Sequence, residues 1–101
     1  MVYRVVITIA AELNVFEATD YYETQLEGLG VKFYQKVIQS LKKLEVSPEH
    51  YSFLFKDFRS LTTEVFPFLI VFKILPGNQV VVFGVIHISR NPEIVQSRIE
   101  K

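Results

Sequence analysis

The chain has 101 residues, half of them apolar, with nine Phe and five Tyr, so one hydrophobic core fits and two domains do not. Eleven Lys/Arg balance eleven Asp/Glu, which disfavours autonomous nucleic-acid binding, since affinity for DNA or RNA backbone comes largely from counterion release by cations. The absence of cysteine excludes disulfides, thiolate metal sites and a Cys nucleophile, and fits a cytoplasmic location.

Tyr3–Ile9 is β-branched and almost wholly apolar, which predicts a strand covered on both faces. Arg4 followed by Val5–Ala11 has the outline of a short signal peptide, but its apolar run sits at the lower limit for one and its Val/Ile/Thr content is that of a strand. From about Ala11 the period changes: Ala11, Val15, Ala18 and Tyr22 fall on one stripe of an amphipathic helix. Glu12, Glu17, Asp20, Glu23 and Glu27 occupy its other faces, with no basic residue among them, and are expected to be solvated. Gly28-Leu29-Gly30 is expected to end that helix through a left-handed glycine.

A second helix is predicted over Val31–Glu45, with Phe33, Val37, Leu41 and Leu44 as its apolar stripe and Tyr34 and Ile38 widening it. The short loop makes the two helices antiparallel neighbours. Lys32, Lys36, Lys42 and Lys43 then form a basic face, expected to pair with the acidic first helix rather than to hold nucleic acid. Ser47-Pro48-Glu49 breaks the helix.

The remainder reads as sheet. Phe53–Val65 is extended, with its strand mainly around Arg59–Val65; Phe66-Pro67 interrupts; Phe68–Leu75 is a second strand; Pro76-Gly77-Asn78-Gln79 is a hairpin turn. Val80–Ile88 is the most apolar strand and is expected to be central. Alternation places Val81, Phe83, Val85 and His87 on one face, with Val82, Gly84 and Ile86 on the other, and Gly84 suggests a bulge or a closely packed helix. Asn91-Pro92-Glu93 has the form of a capped helix start. Helices in one block and strands in another give an α+β domain over residues 1–101: an N-terminal strand, then an antiparallel helical hairpin on an antiparallel sheet. No apolar stretch reaches the roughly 20 residues needed to span a bilayer, so no membrane partner is expected.

No phosphate-binding glycine loop, nucleophile elbow or H-E-x-x-H motif occurs. His50 and His87 are the only histidines, too few for a His-rich metal site, and no metal or cofactor is expected. Asp57 and Glu64 have no spacing that marks them as an acid–base pair. The polar groups set among apolar strands are Arg59, Lys73, His87 and, in the exit turn, Arg90.

Five segments together resemble the RelE/ParE toxin superfamily, and most closely its ParE-like, plasmid-stabilisation branch. They are EATDYYETQLEGLGVKFYQKV (Glu17–Val37), SPEHY (Ser47–Tyr51), DFR (Asp57–Arg59), FPFLIVFKI (Phe66–Ile74) and VVVFGVIHISRNPE (Val80–Glu93). They cover nearly the whole chain, and the combination of Tyr-Tyr, G-L-G, F-P-[FY] and H-x-x-R-x-P is the specific part. The resemblance implies the toxin of a bacterial type II toxin–antitoxin pair, neutralised by a cognate antitoxin whose extended and helical segment wraps the sheet and hairpin. ParE-type members poison DNA gyrase, whereas RelE-type members cut mRNA in the ribosomal A site, and the shared fold does not choose between them.

RelE-type cleavage needs a Lys/Arg cluster and often a Tyr near the C-terminus. Here the strand after Arg59 reads SLTTEV, and no Tyr follows Tyr51. A binding toxin directed at a target such as gyrase is therefore expected; a ribosome-dependent endoribonuclease and a non-toxic interaction module are the alternatives. No catalytic set is assigned. A ribonuclease would draw on Arg59, Lys73, His87 and Arg90, and Arg59, His87 and Arg90 are the residues expected to contact target or antitoxin. Such toxins are commonly basic and this chain is neutral, although residues 51–101 hold six basic and four acidic residues. Either Phe68–Leu75 or the Tyr3–Ile9 strand is expected to leave apolar surface that the antitoxin covers, so the isolated chain is expected to dimerise or aggregate.

Overall fold

The computed structural model describes residues 2–89; Arg90 and the helix start expected at Asn91-Pro92-Glu93 lie outside the described residues. In chain order the elements are β1 (Arg4–Ile7), α1 (Ile9–Gln25), α2 (Leu29–Val46), a 3-10 turn (Pro48–His50), β2 (Phe53–Phe55), β3 (Phe58–Thr62), β4 (Phe68–Leu75) and β5 (Gln79–His87). The five strands form one sheet in the order β1-β5-β4-β3-β2. The pairings β2–β3, β3–β4 and β4–β5 are antiparallel, while β1 runs parallel to β5, with Arg4 opposite Gln79 and Ile7 opposite Val82. The α+β architecture is as expected, with a mixed rather than purely antiparallel sheet. The long excursion between β1 and β5 leaves their relative direction free of any hairpin constraint.

β1 stops at Ile7 because Thr8 takes an extended conformation and caps α1, its Oγ1 accepting from the Ala11 N–H at 3.1 Å. The helix therefore starts two residues before the expected Ala11. As an edge strand β1 is half-buried from Val5 to Ile7 with Arg4 exposed, not covered on both faces. The stripe Ala11, Val15, Ala18 and Tyr22 does face the core.

The link between the helices differs from expectation in a specific way. Leu26, in an extended conformation, closes α1; Gly28, at φ +87°, opens α2; and Gly30 lies inside α2. Glu23 is not simply solvated: its Oε2 accepts from the Gly28 N–H at 2.9 Å and its Oε1 from the Gly30 N–H at 3.0 Å. One carboxylate of α1 thus satisfies two free N–H groups of α2 and complements the positive end of its dipole. At Gly30 the helices approach closely, since a Cβ there would lie 2.6 Å from the Thr19 carbonyl oxygen.

Against the sheet, the hairpin buries Phe33, Val37 and Leu44 of α2 together with Leu61, Ile70, Phe72, Val80, Val82 and Val85. Each fully buried Phe or Leu contributes roughly 1.5–3 kcal/mol. Tyr22, Phe33, Phe66 and Phe68 form an aromatic cluster with centroids 4.8–6.1 Å apart. On the other side of the sheet Phe58, Val71 and Ile86 are buried among Leu54, Phe55, Leu69 and Phe83.

Two of the α2 lysines pair with the sheet side rather than with α1. Lys43 Nζ lies 2.9 Å and Lys36 Nζ 3.9 Å from the Glu64 carboxylate, in the β3–β4 turn. That turn is tight: Val65 sits at φ +73°, a costly conformation for a β-branched residue, and the buried Thr63 hydroxyl donates to the Phe66 carbonyl at 2.6 Å. The extended segment expected over Phe53–Val65 carries a strand, β3, close to the expected Arg59–Val65, but its first part folds back as a hairpin, β2–β3, turning through Lys56-Asp57 with Lys56 at φ +47°. Asp57 is a turn former, but Lys56 is not, and no Gly, Pro or Asn stands beside them.

The expected alternation along β5 fails at its middle. Val71 pairs with Gly84 but Phe72 pairs with Val82, leaving Phe83 as the extra residue of a bulge. Val80, Val82 and Val85 consequently belong to the core beneath the helices, while Phe83 and Ile86 belong to the opposite face. The bulge falls beside Gly84, the position that suggested one.

Two outcomes follow from these contacts. Gly30→Ala gains helix propensity but drives a methyl into backbone, so urea denaturation should show a net loss of about 1–3 kcal/mol. The Lys43 hydrogen bond and charge, with Lys36, hold the Glu64 carboxyl below its usual 4.5, and Glu64 holds the Lys43 ammonium above its usual 10.5. The pair's contribution is therefore present between those ordinary values; it is lost as pH falls through the depressed Glu64 value or rises through the raised Lys43 value. Glu64→Gln should lower the melting temperature slightly at pH 7 and leave it unchanged at pH 2, and added salt should shrink the difference.

Candidate functional site

Of the three cations and one histidine singled out in the sequence, the three that the structure describes, Arg59, Lys73 and His87, are not gathered at one place. Arg59, on the helix side of β3, donates from Nη1 to the Tyr51 carbonyl at 2.7 Å and the Glu49 carbonyl at 3.2 Å. Its guanidinium carbon lies 4.1 Å from the centre of the Phe53 ring. It fastens the 3-10 turn and the β2 edge to the sheet. Lys73 projects from the opposite face of β4, 3.4 Å from Asp57 Oδ1 and 4.4 Å from the Phe58 ring centre. His87 ends β5 on the helix side. Arg59 is opposite Phe72 and His87 opposite Phe68, so they flank β4 on different sides and are offset by four residues, about 13 Å along the strand. Arg90 lies outside the described residues.

A groove does form around His87. β1 reaches only as far as Val82, whose carbonyl accepts from Thr8 N–H at 3.0 Å. Beyond it the edge of β5 faces α1 instead of another strand. Asn14 Oδ1 accepts from the Val85 N–H at 3.1 Å, substituting a side-chain amide for the missing ladder bond. Along this edge Asn14, Glu17, Ala18 and Tyr21 of α1 form one wall, and Phe68, Val85 and His87 the other; the groove continues past Tyr22 to Ser89.

The His87 ring meets Phe68 edge to face at 5.3 Å. Its Nδ1 accepts from the Ser89 N–H at 3.1 Å and lies 2.7 Å from Ser89 Oγ. That assignment puts the proton of the neutral ring on Nε2 and fixes the ring's orientation. Beside it burial, and secondarily Tyr21, pushes the Tyr22 phenol above its ordinary value, so it stays a neutral hydroxyl. The groove thus offers an imidazole, a carboxylate and phenols beside apolar ring faces and a strand edge. No Lys or Arg lines it among the described residues, which suits a polypeptide better than a phosphate backbone. Among the described residues, no group of three or more His, Asp or Glu could hold a metal ion, and no helix is long and apolar enough to cross a membrane.

Asn14, Glu17, Tyr21, Phe68 and Ser89 were not foreseen as site residues. Asn14 left a trace in the sequence, a short amide adjoining the Ala11–Val15–Ala18 stripe. The others depend on where β1 ends.

No family profile matches the chain, and no curated protein matches it. Among solved structures, a chain of the chromosomal ParDE TA system from P. aeruginosa superposes with a TM-score of 0.75 at 18% identity, covering 87% of this chain and 98% of that one. The two chains share a fold, and the fold implied by the RelE/ParE resemblance is borne out.

The placements separate stability from surface chemistry. Arg59→Ala should cost about 1.5–3 kcal/mol in urea denaturation, because two carbonyls lose a charged donor. His87→Ala, at a strand end, should shift the midpoint far less. Equal losses would show that Arg59 is not the fastener described.

Proposed function

We propose that this chain is the toxin component of a bacterial type II toxin–antitoxin pair, acting in the cytoplasm by binding a target protein and neutralised by a cognate antitoxin. The observation that carries this reading is the shared fold with a chain of the ParDE TA system over nearly the full length of both. The commitments of Arg59 to backbone carbonyls and of Lys73 to Asp57 favour binding over RNA cleavage, since neither cation is aimed with His87 at a common point where phosphate charge could develop. DNA gyrase is the target that the ParE-like resemblance brings, and the α1–β5 groove is the surface best suited to a polypeptide partner.

Inducing the chain alone in a bacterium should arrest growth, with loss of negative supercoiling and a DNA-damage response, and co-expression of the cognate antitoxin should restore growth. Arrest with cleaved mRNA and normal supercoiling would replace the binding reading with the ribonuclease one. Unimpeded growth at high expression would leave a non-toxic interaction module.

A further inference from the structure

The groove beside β5 contains a carboxylate that no described cation neutralises. Glu17 lines it and makes no ion pair or hydrogen bond among the described residues, and α1 carries no basic residue. An unpaired carboxylate on a surface is ordinary, but this one is set among aromatic rings. Tyr21, four residues on, shares its side of the helix. Phe68 and His87 form the facing wall, and Tyr22 stands where the groove continues. The rings are braced in pairs, Tyr21 edge-on to Tyr22 at 5.5 Å and His87 edge-on to Phe68 at 5.3 Å. Between the walls α1 presents only Ala18, which leaves the space open.

A carboxylate beside ring faces selects a cation, and the backbone says which kind. The Val85 N–H is taken by Asn14 Oδ1. In an antiparallel ladder the carbonyl of a residue points to the same side as its N–H, so the Val85 carbonyl also faces α1, and no described group donates to it. A guanidinium is flat and carries five N–H donors, so it can lie on a ring while reaching Glu17 and the Val85 carbonyl together. An ammonium is a compact, strongly hydrated point charge without that plane. Anions are repelled by Glu17, and an apolar side chain would leave the carboxylate and the carbonyl desolvated without a partner.

We propose that this pocket binds the guanidinium of an arginine side chain presented by the target protein. The proposal rests on the toxin reading for the source of the arginine, and it names what the target must carry at this groove.

The test titrates the purified full chain with N-acetyl-arginine methylamide, followed by heteronuclear NMR, beside the citrulline and lysine analogues. Citrulline keeps the planar group without its charge, and lysine keeps the charge without the plane. The arginine probe should give saturable millimolar shifts at Glu17, Ala18, Tyr21 and Val85, weakening as salt rises, with each analogue at least fivefold weaker. Glu17→Gln and Tyr21→Leu should each weaken it about fivefold and leave the rest of the spectrum in place, as exposed helix positions allow. No saturable shift, equal binding of either analogue, or affinity untouched by Glu17→Gln would overturn the pocket. So would tighter probe binding in Arg90→Gln, which would give the pocket to the chain's own Arg90. In cells Glu17→Gln should lose growth arrest yet bind the cognate antitoxin as tightly as the unaltered chain. Undiminished arrest, or loss of antitoxin affinity, would overturn the assignment to the target. An unaltered chain that arrests nothing would sink the toxin reading and the target with it, while a saturable arginine titration would still establish the pocket.

Discussion

The aromatic cluster of Tyr22, Phe33, Phe66 and Phe68 is the contact on which the other features depend. It takes one ring from each helix, one from the β3–β4 turn and one from β4, so a single set of ring contacts, edge-to-face except for the tilted Tyr22–Phe33 pair, fixes the hairpin against the sheet and the turn against the hairpin. Such contacts favour particular ring orientations as well as burial, which makes the docking angle of α1 specific. His87 is tied to the same unit through Phe68. The strained backbone at Val65 is held in the turn that carries Phe66 into this cluster by the Thr63 hydroxyl bonded to the Phe66 carbonyl and by the Lys43–Glu64 contact.

With α1 placed, the short β1 sets up the surface chemistry. Four residues of parallel pairing satisfy the first half of β5, and capping by Thr8 turns the chain into α1 before the second half is reached. The free edge of β5, Asn14 and the wall of Glu17 and Tyr21 all follow from that early turn. The same helix exposes Ile9, Leu13 and Phe16 on the side away from the core. Neutral net charge conceals this division: carboxylates gather on α1, while the described cations largely hold structure elsewhere, Arg59 on carbonyls, Lys73 on Asp57, Lys36 and Lys43 on Glu64.

Much of the fold was legible because it is local. Alternating and 3.6-residue patterns marked both helices, β4 to its ends and β5 to within a residue, and Pro76-Gly77 marked their hairpin. The β2–β3 hairpin was not legible, because its turn residues Lys56-Asp57 carry no glycine or asparagine. Nor was the early start of α1, since Thr8 reads equally well as a strand residue and as a cap. The site was less legible still. Arg59 and His87 look alike in sequence, each a polar group at a strand end, yet one is a fastener and the other borders a groove.

By itself the sequence determined the α+β class, the inner stripes of the hairpin and the concentration of acid on α1, because periodicity and composition act within a few residues. Only the tertiary structure decided that β1 runs parallel to β5, that Phe83 is looped out beside Gly84, and that Glu23 caps the neighbouring helix. Each of these is a choice between partners distant in the chain, settled by packing and backbone pairing across the whole domain, and no local pattern records it.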